Sequence, residues 1–171
     1  TSPFNITAEA TTLEPFSLDD VRELLKQHTS HTNQLFETES VELIHELSQG
    51  HPWLVNAIAD QIVNRDVEDR AIAITPQHVD AAKETIIVER RTHIDSLMAR
   101  LREPRILKII EPMLTGSSMS EDVLDDDVNY VVGLGLIRHR QGRYELSNPI
   151  YREIVPRALT HIRQSQIWQE T

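Results

Sequence analysis

The sequence predicts a mainly α-helical fold: a helical bundle followed by a smaller helical unit that carries one β-hairpin. Three observations predict it. Apolar residues recur at helical spacing along most of the 171 residues. N-capping residues or prolines precede several of these stretches, as they do at the starts of helices. Near the C-terminus, two short extended runs flank a glycine-containing turn, which is the pattern of a hairpin.

The first two predicted helices begin near Ser17 and Thr38. Ser17 is a hydroxyl N-cap followed by acidic residues, which favour the positive end of a helix. One apolar face follows in each helix, formed by Leu18, Val21, Leu24 and Leu25 and by Val41, Ile44 and Leu47. The polar stretch Thr29–Gln34 ends the first helix. The second ends at about Gln49, because Gly50 suits the left-handed residue that follows a helix.

Two further helices are predicted to begin at prolines, which are favoured in the first helical turn. The third helix follows Pro52 over about 53–64 and buries six apolar side chains, those of Trp53, Leu54, Ala57, Ile58, Ile62 and Val63. The fourth begins at Thr75-Pro76 and continues to about Leu101, where Glu103-Pro104 interrupts it.

The last seventy residues predict a different unit. It begins with an apolar helix over about 106–116, which ends at Gly116, and an acidic helix or turn over about 119–124. A helix capped by Asp126 or Asp127 follows over about 127–134, and then a hairpin over about 136–146 around Gln141-Gly142. The final helix, over about 150–167, is begun by Ser147-Asn148-Pro149 and bent at Pro156. The order helix, helix, helix, hairpin is typical of a winged helix. We therefore predict two units, 13–101 and 102–171, joined by the long fourth helix.

Composition excludes several classes of protein. The chain has no cysteine, so disulfides, thiolate metal sites and cysteine nucleophiles are excluded. No apolar run reaches the ~18 residues of a membrane span. The first residues lack the features of a signal peptide, so we expect a cytoplasmic protein. They also lack an initiator Met, so we expect a piece of a longer chain.

The net charge of −10 is unevenly distributed. Residues 1–75 carry four basic and thirteen acidic side chains, whereas residues 76–171 carry thirteen and fourteen. Residues 90–108 and 138–163 each contain six basic side chains, and residues 121–127 contain five acidic ones. Such blocks are either solvated surface or contacts with a partner. The acidic total argues against generic binding of nucleic acid, but it belongs almost entirely to the first half.

A short string resembles a known motif. Gly50-His51-Pro52-Trp53 resembles the Gly-x-Pro motif that starts a lid helix in signalling-type AAA ATPases, which pair a P-loop core with a helical lid and a winged helix. Four later strings are similar to the C-terminal region of bacterial AAA-like ATPases: Glu103-Pro104-Arg105, Ile110-Glu111-Pro112, Leu134-Gly135-Leu136-Ile137 and Ser147-Asn148-Pro149-Ile150-Tyr151-Arg152-Glu153. The resemblance covers essentially the whole chain.

The resemblance implies a division of labour. Residues 1–12 would be the segment that leaves an ATPase core, 13–101 the lid, and 102–171 the winged helix. No Gly-x-x-x-x-Gly-Lys-Ser/Thr loop occurs, so nothing in this chain cradles a triphosphate. The expectation is a non-catalytic module of an ATPase whose P-loop core lies before Thr1. ATP or ADP would bind only with that core, and a protein partner or a second copy is possible, but not a membrane.

Gly50, Pro52 and Trp53 are the candidate cofactor-binding residues. The resemblance implies that Pro52 touches the adenine of a nucleotide held mostly by the core. A glycine permits close approach of the backbone, and the start of a helix adds a positive dipole end. The alternative is a plain corner between two helices, with Trp53 in the core.

The predicted wing raises the question of nucleic acid. Arg138, His139, Arg140 and Arg143 lie on it and could contact a phosphate backbone or a protein partner. Against DNA, the acids 125–127 stand at the start of the predicted recognition helix, which has no Arg, Gln or Lys to read bases. A winged-helix protein that binds DNA through these arginines is therefore the alternative function.

Metal sites and independent catalysis are not expected. His28 and His31 have helical i, i+3 spacing, but no third ligand is near in sequence. The acidic block 121–127 lacks the alternating spacing and central glycine of a calcium loop. No nucleophile-elbow pattern is present.

Overall fold

The computed structural model describes residues 14–89, 99–116 and 125–167, without the side chains of residue 89 and of residues 161–167. This part of the chain contains seven α-helices and one antiparallel two-stranded sheet, so the predicted mainly α class with a single hairpin is confirmed. None of the helices described is both long and apolar enough to cross a membrane.

Within the described residues, the elements follow one another along the chain as predicted. The helices are α1 (Leu18–Thr32), α2 (Thr38–Ser48), α3 (Pro52–Gln61), α4 (Pro76–Glu89), α5 (Pro104–Thr115), α6 (Asp125–Gly133) and α7 (Pro149–Ile167). Strands β1 (Ile137–Arg140) and β2 (Arg143–Leu146) lie between α6 and α7.

Helix α1 begins where its capping sequence predicts. The Ser17 hydroxyl accepts a hydrogen bond from the backbone N–H of Asp20 at 3.2 Å, and the Asp20 carboxylate accepts one from the backbone N–H of Ser17 at 2.9 Å. These reciprocal bonds satisfy N–H groups that the helix itself leaves without partners. The Ser17 hydroxyl also donates to the Asp20 carboxylate at 2.6 Å, and this bond, together with the bond from the Ser17 N–H, lowers the pKa of Asp20. The helix ends at Thr32, within the predicted polar stretch, and Asn33 takes the left-handed conformation.

Helix α3 begins at Pro52 as predicted but ends earlier. It gives way after Gln61 to a π-turn over Ile62–Asp66, in which the Gln61 amide donates to the Asp66 carboxylate at 2.7 Å. Of the side chains predicted to be buried, those of Leu54, Ile58 and Ile62 are completely buried. Trp53 is only half-buried, because it stands on the first turn, beside a cleft.

Two helices flank the predicted boundary between the units. Helix α4 is described to Glu89, and its predicted continuation over 90–98 lies outside the described residues. Helix α5 begins at Pro104, two residues before its predicted start, because this proline is accommodated in the first turn. The predicted element over 119–124 also lies outside the described residues.

Helix α6 corrects a predicted cap. Asp126 and Asp127 were expected to cap the helix, but α6 already begins at Asp125 and all three acids stand in its first turn. Carboxylates there favour the positive helix end without being the cap. The helix buries Val128 and Val131 against its neighbours.

The hairpin has the predicted turn. Ile137 pairs with Leu146 at its base, and Arg140 pairs with Arg143 at its tip. Gln141 and Gly142 form the two-residue loop with φ of +50° and +78°, the left-handed conformation that matches the twist of a hairpin. After β2, the Asn148 side chain accepts from the backbone N–H of Tyr151 at 2.8 Å and caps α7.

A buried amide crosslinks the bundle. Gln34 is fully buried, and its Nε2 donates to the backbone carbonyls of Val67, Asp69 and Ile72 at 3.1–3.3 Å. Its Oε1 accepts from Arg70 at 2.9 Å. A buried carbonyl without a hydrogen-bond partner costs about 1–3 kcal/mol. Because Gln34 bonds three carbonyls of the loop that leads to α4, its side chain stabilises that loop.

The two predicted units pack against each other. Helix α7 contacts α2 and α4, and the Lys83 ammonium reaches the Glu153 carboxylate at 3.3 Å. Apolar residues of all seven helices form one buried cluster, from Val21 in α1 to Ile150 in α7. The boundary at residues 101 and 102 remains a prediction.

Candidate functional site

A cleft of about 450 Å³ opens between the start of α3 and the loop that joins α6 to β1. Pro52 and Trp53 line one wall, and Val132, Leu134 and Arg138 line the other. The cleft thus lies between the two predicted units and brings together two groups of residues that the sequence predicts as separate sites.

A sharp corner sets the first wall. Gln49 and Gly50 take left-handed backbone conformations, with φ of +49° and +73°, and turn the chain from α2 into Pro52 at the start of α3. A Cβ atom at Gly50 would lie 2.0 Å from the backbone oxygen of Phe16. The Phe16 N–H donates to the Gly50 carbonyl at 2.8 Å, which holds the two segments together.

Gly50 takes the left-handed conformation that was predicted for it, whereas its role in cofactor binding stays a prediction. Its missing side chain makes room for the backbone of Phe16, and Gly50 is not among the residues that line the cleft. Pro52 and Trp53 do line it, together with Pro15 from the segment that Phe16 anchors. Two of the three candidate cofactor-binding residues thus face one cavity.

The opposite wall approaches the corner closely. Gly135 has φ of +70°, and a Cβ atom there would lie 3.3 Å from Nε2 of His51. The His51 ring in turn meets the Tyr151 ring edge to face, with the ring centroids 6.0 Å apart. Tyr151 is almost fully buried, and burial raises the pKa of its hydroxyl to about 12. The base of the cleft is therefore a tightly packed aromatic contact.

Arg138 crosses from the hairpin to the end of α2. Its Nη1 donates to Oε1 of Gln49 at 2.6 Å, and its Nε donates to Oε1 of Glu145 on the paired strand at 2.8 Å. The Glu145 carboxylate also forms ion pairs with Arg152 at 3.1 Å and with Arg140 at 3.7 Å. The hydrogen bond from Arg138 lowers the pKa of Glu145, and the charges of the three arginines act in the same direction.

The four predicted wing residues therefore separate into two groups. Arg138 lines the cleft and is bonded within the protein. His139, Arg140 and Arg143 are exposed, and the His139 ring packs edge to face on Tyr144 with centroids 5.1 Å apart. Arg140 and Arg143 stand directly opposite each other at the tip. Like charges in that position are unfavourable, and Glu145 lies 3.7 Å from Arg140.

The histidines considered as metal ligands are used elsewhere. His28 Nε2 lies 2.9 Å from Oε1 of the buried Gln34, and His31 Nδ1 lies 2.7 Å from the carbonyl of Gln27. Across residues 14–89, 99–116 and 125–167, no three potential metal-ligating side chains come together.

Several residues that line the cleft are not among the predicted site residues, and Gln49, Gly135 and Ser147 are three of them. The sequence signal at Gln49 is that a glutamine occupies a helix-ending position where glycine is usual.

The comparisons with known proteins add no family. No protein-family model matches the chain. No curated protein matches it either. The functional assignment therefore depends on the geometry of the cleft and on the resemblance of short motifs.

Proposed function

We propose that this chain is the lid and winged-helix module of an AAA-like ATPase. It does no chemistry itself. It couples the nucleotide state of a P-loop core, which these residues do not contain, to contacts with a partner or another subunit in the cytoplasm. The observation that carries the proposal is the position of Pro52: the residue that the motif assigns to adenine stands at a cleft between the two units.

The surroundings of Pro52 support this role. Pro52 and Trp53 present apolar surface at the N-terminal end of α3, where the helix dipole favours an anionic ligand. Pro15 lines the same cleft, so a core joined ahead of this segment would lie beside it. A nucleotide held between such a core and Pro52 would contact the first unit directly and the second through the α6–β1 loop. Its presence would then bias the relative position of the units.

Replacing Pro52 with alanine should weaken binding of ADP to the polypeptide that joins this chain to its P-loop core. Loss of one apolar contact face costs about 1 kcal/mol, which corresponds to about five-fold in Kd. Isothermal titration calorimetry measures the change. Pro76→Ala is the matched control, because Pro76 begins α4 and does not line the cleft.

Unchanged ADP affinity in the Pro52→Ala protein would remove the adenine contact. Hydrolysis of ATP by the 171-residue chain alone would contradict the non-catalytic role.

The exposed arginines of the hairpin favour a second candidate, a winged helix that binds DNA. Arg140 and Arg143 face each other at the tip, with Arg140 61% exposed. This candidate predicts that Arg140→Ala/Arg143→Ala lowers affinity for duplex DNA about ten-fold or more and reduces the slope of log affinity against log salt by about 2. Arg22→Ala/Arg65→Ala is the charge-matched control outside the hairpin. Absence of binding at ~50 mM salt would exclude it.

A further inference from the structure

Gln49 has a backbone conformation that its side chain does not favour. It ends α2 with φ of +49°, in the left-handed region where glycine is the usual residue. The presence of a glutamine side chain at this position therefore needs a physical explanation. The amide is held at both ends: Nε2 donates to the carbonyl of Glu46 at 2.7 Å, and Oε1 accepts from Arg138 at 2.6 Å.

Arg138 is equally constrained on its own side. Glu145, its partner across the hairpin, holds the guanidinium at 2.8 Å through both Nε and Nη2. Both hydrogen-bonding partners of Arg138 are themselves half-buried. A charged donor and a short bond in such a place contribute more than an exposed contact. A continuous set of bonds thus runs from α2 through Gln49 and Arg138 to β2.

We propose that Gln49 and Arg138 form a latch that holds the cleft closed. The two side chains come from opposite walls, both line the cleft, and Gln49 directly precedes the Gly50–Pro52 corner. Movement of the hairpin away from α3 requires this bond to break first. The latch sets how far the two units separate. The proposal rests on the proposed function only for the identity of the ligand that enters the cleft.

Trp53 provides the readout, because it is half-buried in the wall of the cleft. The protein has two tryptophans, so the experiment uses a Trp168→Phe background, in which Trp53 is the sole indole fluorophore. Acrylamide quenching of Trp53 fluorescence then measures how often the cleft is open. The measurement needs no nucleotide and no other domain.

Two substitutions at Gln49 should act in opposite directions. Gln49→Gly removes the latch and suits the φ of +49°, so Trp53 should become more accessible with no loss of thermal stability. The open population should rise about ten-fold, which is the equivalent of about 1.4 kcal/mol. Gln49→Glu places a carboxylate against Arg138 and should make Trp53 less accessible than in the parent protein.

The matched control is Gln141→Gly. Gln141 has nearly the same backbone conformation, with φ of +50°, but it lies in the turn of the hairpin, outside the cleft. This variant should leave the quenching of Trp53 unchanged. An equal increase in both variants would attribute the effect to backbone relaxation and overturn the latch.

A second background tests whether Gln49 acts through Arg138. With Arg138→Met, which removes the guanidinium together with its charge, the Glu variant at position 49 should no longer make Trp53 less accessible than the Gly variant does. Persistence of their difference would contradict the proposal. So would identical quenching in all Gln49 variants of the parent protein. A latch that passes these tests while Pro52→Ala leaves ADP affinity unchanged would separate the latch from the proposed nucleotide contact.

Discussion

Replacing Gly50 with alanine should destabilise the protein by at least about 3 kcal/mol. The left-handed φ of +73° costs about 1–2 kcal/mol for a residue with a Cβ atom. The larger cost is steric, because that Cβ would lie 2.0 Å from the Phe16 oxygen and 2.9 Å from the Phe16 nitrogen. Both are backbone atoms, so no side-chain rotation relieves the clash, and the hydrogen bond between Phe16 and Gly50 has to break.

Urea unfolding of the two proteins at one pH gives the difference in free energy of unfolding. Gly116→Ala and Gly142→Ala are matched controls, since their φ values are +68° and +78° and the space around them is open. They should lose only the conformational part, about 1–2 kcal/mol. A Gly50→Ala protein no less stable than these two would show that the corner rearranges freely.

Loss of this corner also has a functional consequence. Phe16 follows Pro15, which lines the cleft, so separation of the segment from Gly50 removes part of the first wall. Hydrogen exchange should become faster at the backbone N–H of Phe16 before it does so in the middle of α2. The variant thus tests whether the architecture of the cleft depends on one missing side chain.

The second large effect is a loss of stability at alkaline pH that Tyr151 causes. Burial raises the pKa of its hydroxyl to about 12 in the folded protein, against about 10 in an unfolded chain. The stabilising contribution is complete below pH ~10, where the hydroxyl is neutral in both states. It falls as the pH rises from about 10 to about 12, because only the unfolded chain then ionises readily.

A difference of about two pKa values corresponds to about 2–3 kcal/mol between the two ends of this range. The free energy of unfolding, measured at intervals from neutral pH to pH ~12, should therefore fall more steeply for the parent protein than for Tyr151→Phe. The comparison uses the slope of each curve, so a constant difference between the two proteins does not affect it.

Tyr144→Phe is the control, because Tyr144 is 38% exposed on the hairpin. Parallel curves for the parent and Tyr151→Phe proteins would mean that solvent reaches the Tyr151 hydroxyl freely. Since Tyr151 packs against His51 at the base of the cleft, the same experiment reports on the contact between the two units.

The arrangement of the cleft gives the proposed function a specific mechanical form. Phe16 contacts the corner at Gly50, and His51 contacts the α6–β1 loop at Gly135. Arg138 spans the space between these walls. In the proposed function, these few short contacts would link ligand binding at Pro52 to movement of the hairpin.

Local signals predicted most of the secondary structure. Ser17, Pro52 and Asn148 mark helix starts because each acts on backbone groups within about three residues. The Gln141-Gly142 turn predicts the hairpin for the same reason, since two left-handed residues determine the direction of the next strand. The cap assigned to Asp126 or Asp127 was wrong, because both residues stand inside the first turn and a row of three acids does not identify which residue precedes the helix.

The helical class, the hairpin and the Pro52 corner could be predicted from the sequence, because all three depend on hydrogen bonds between near neighbours. How these parts pack against one another could be seen only in the tertiary structure. Gln49 and Arg138 are 89 residues apart, and Gly50 is needed because of the backbone of Phe16, more than thirty residues earlier. Such contacts depend on how the helices pack, and the packing reflects the whole buried surface rather than any one motif.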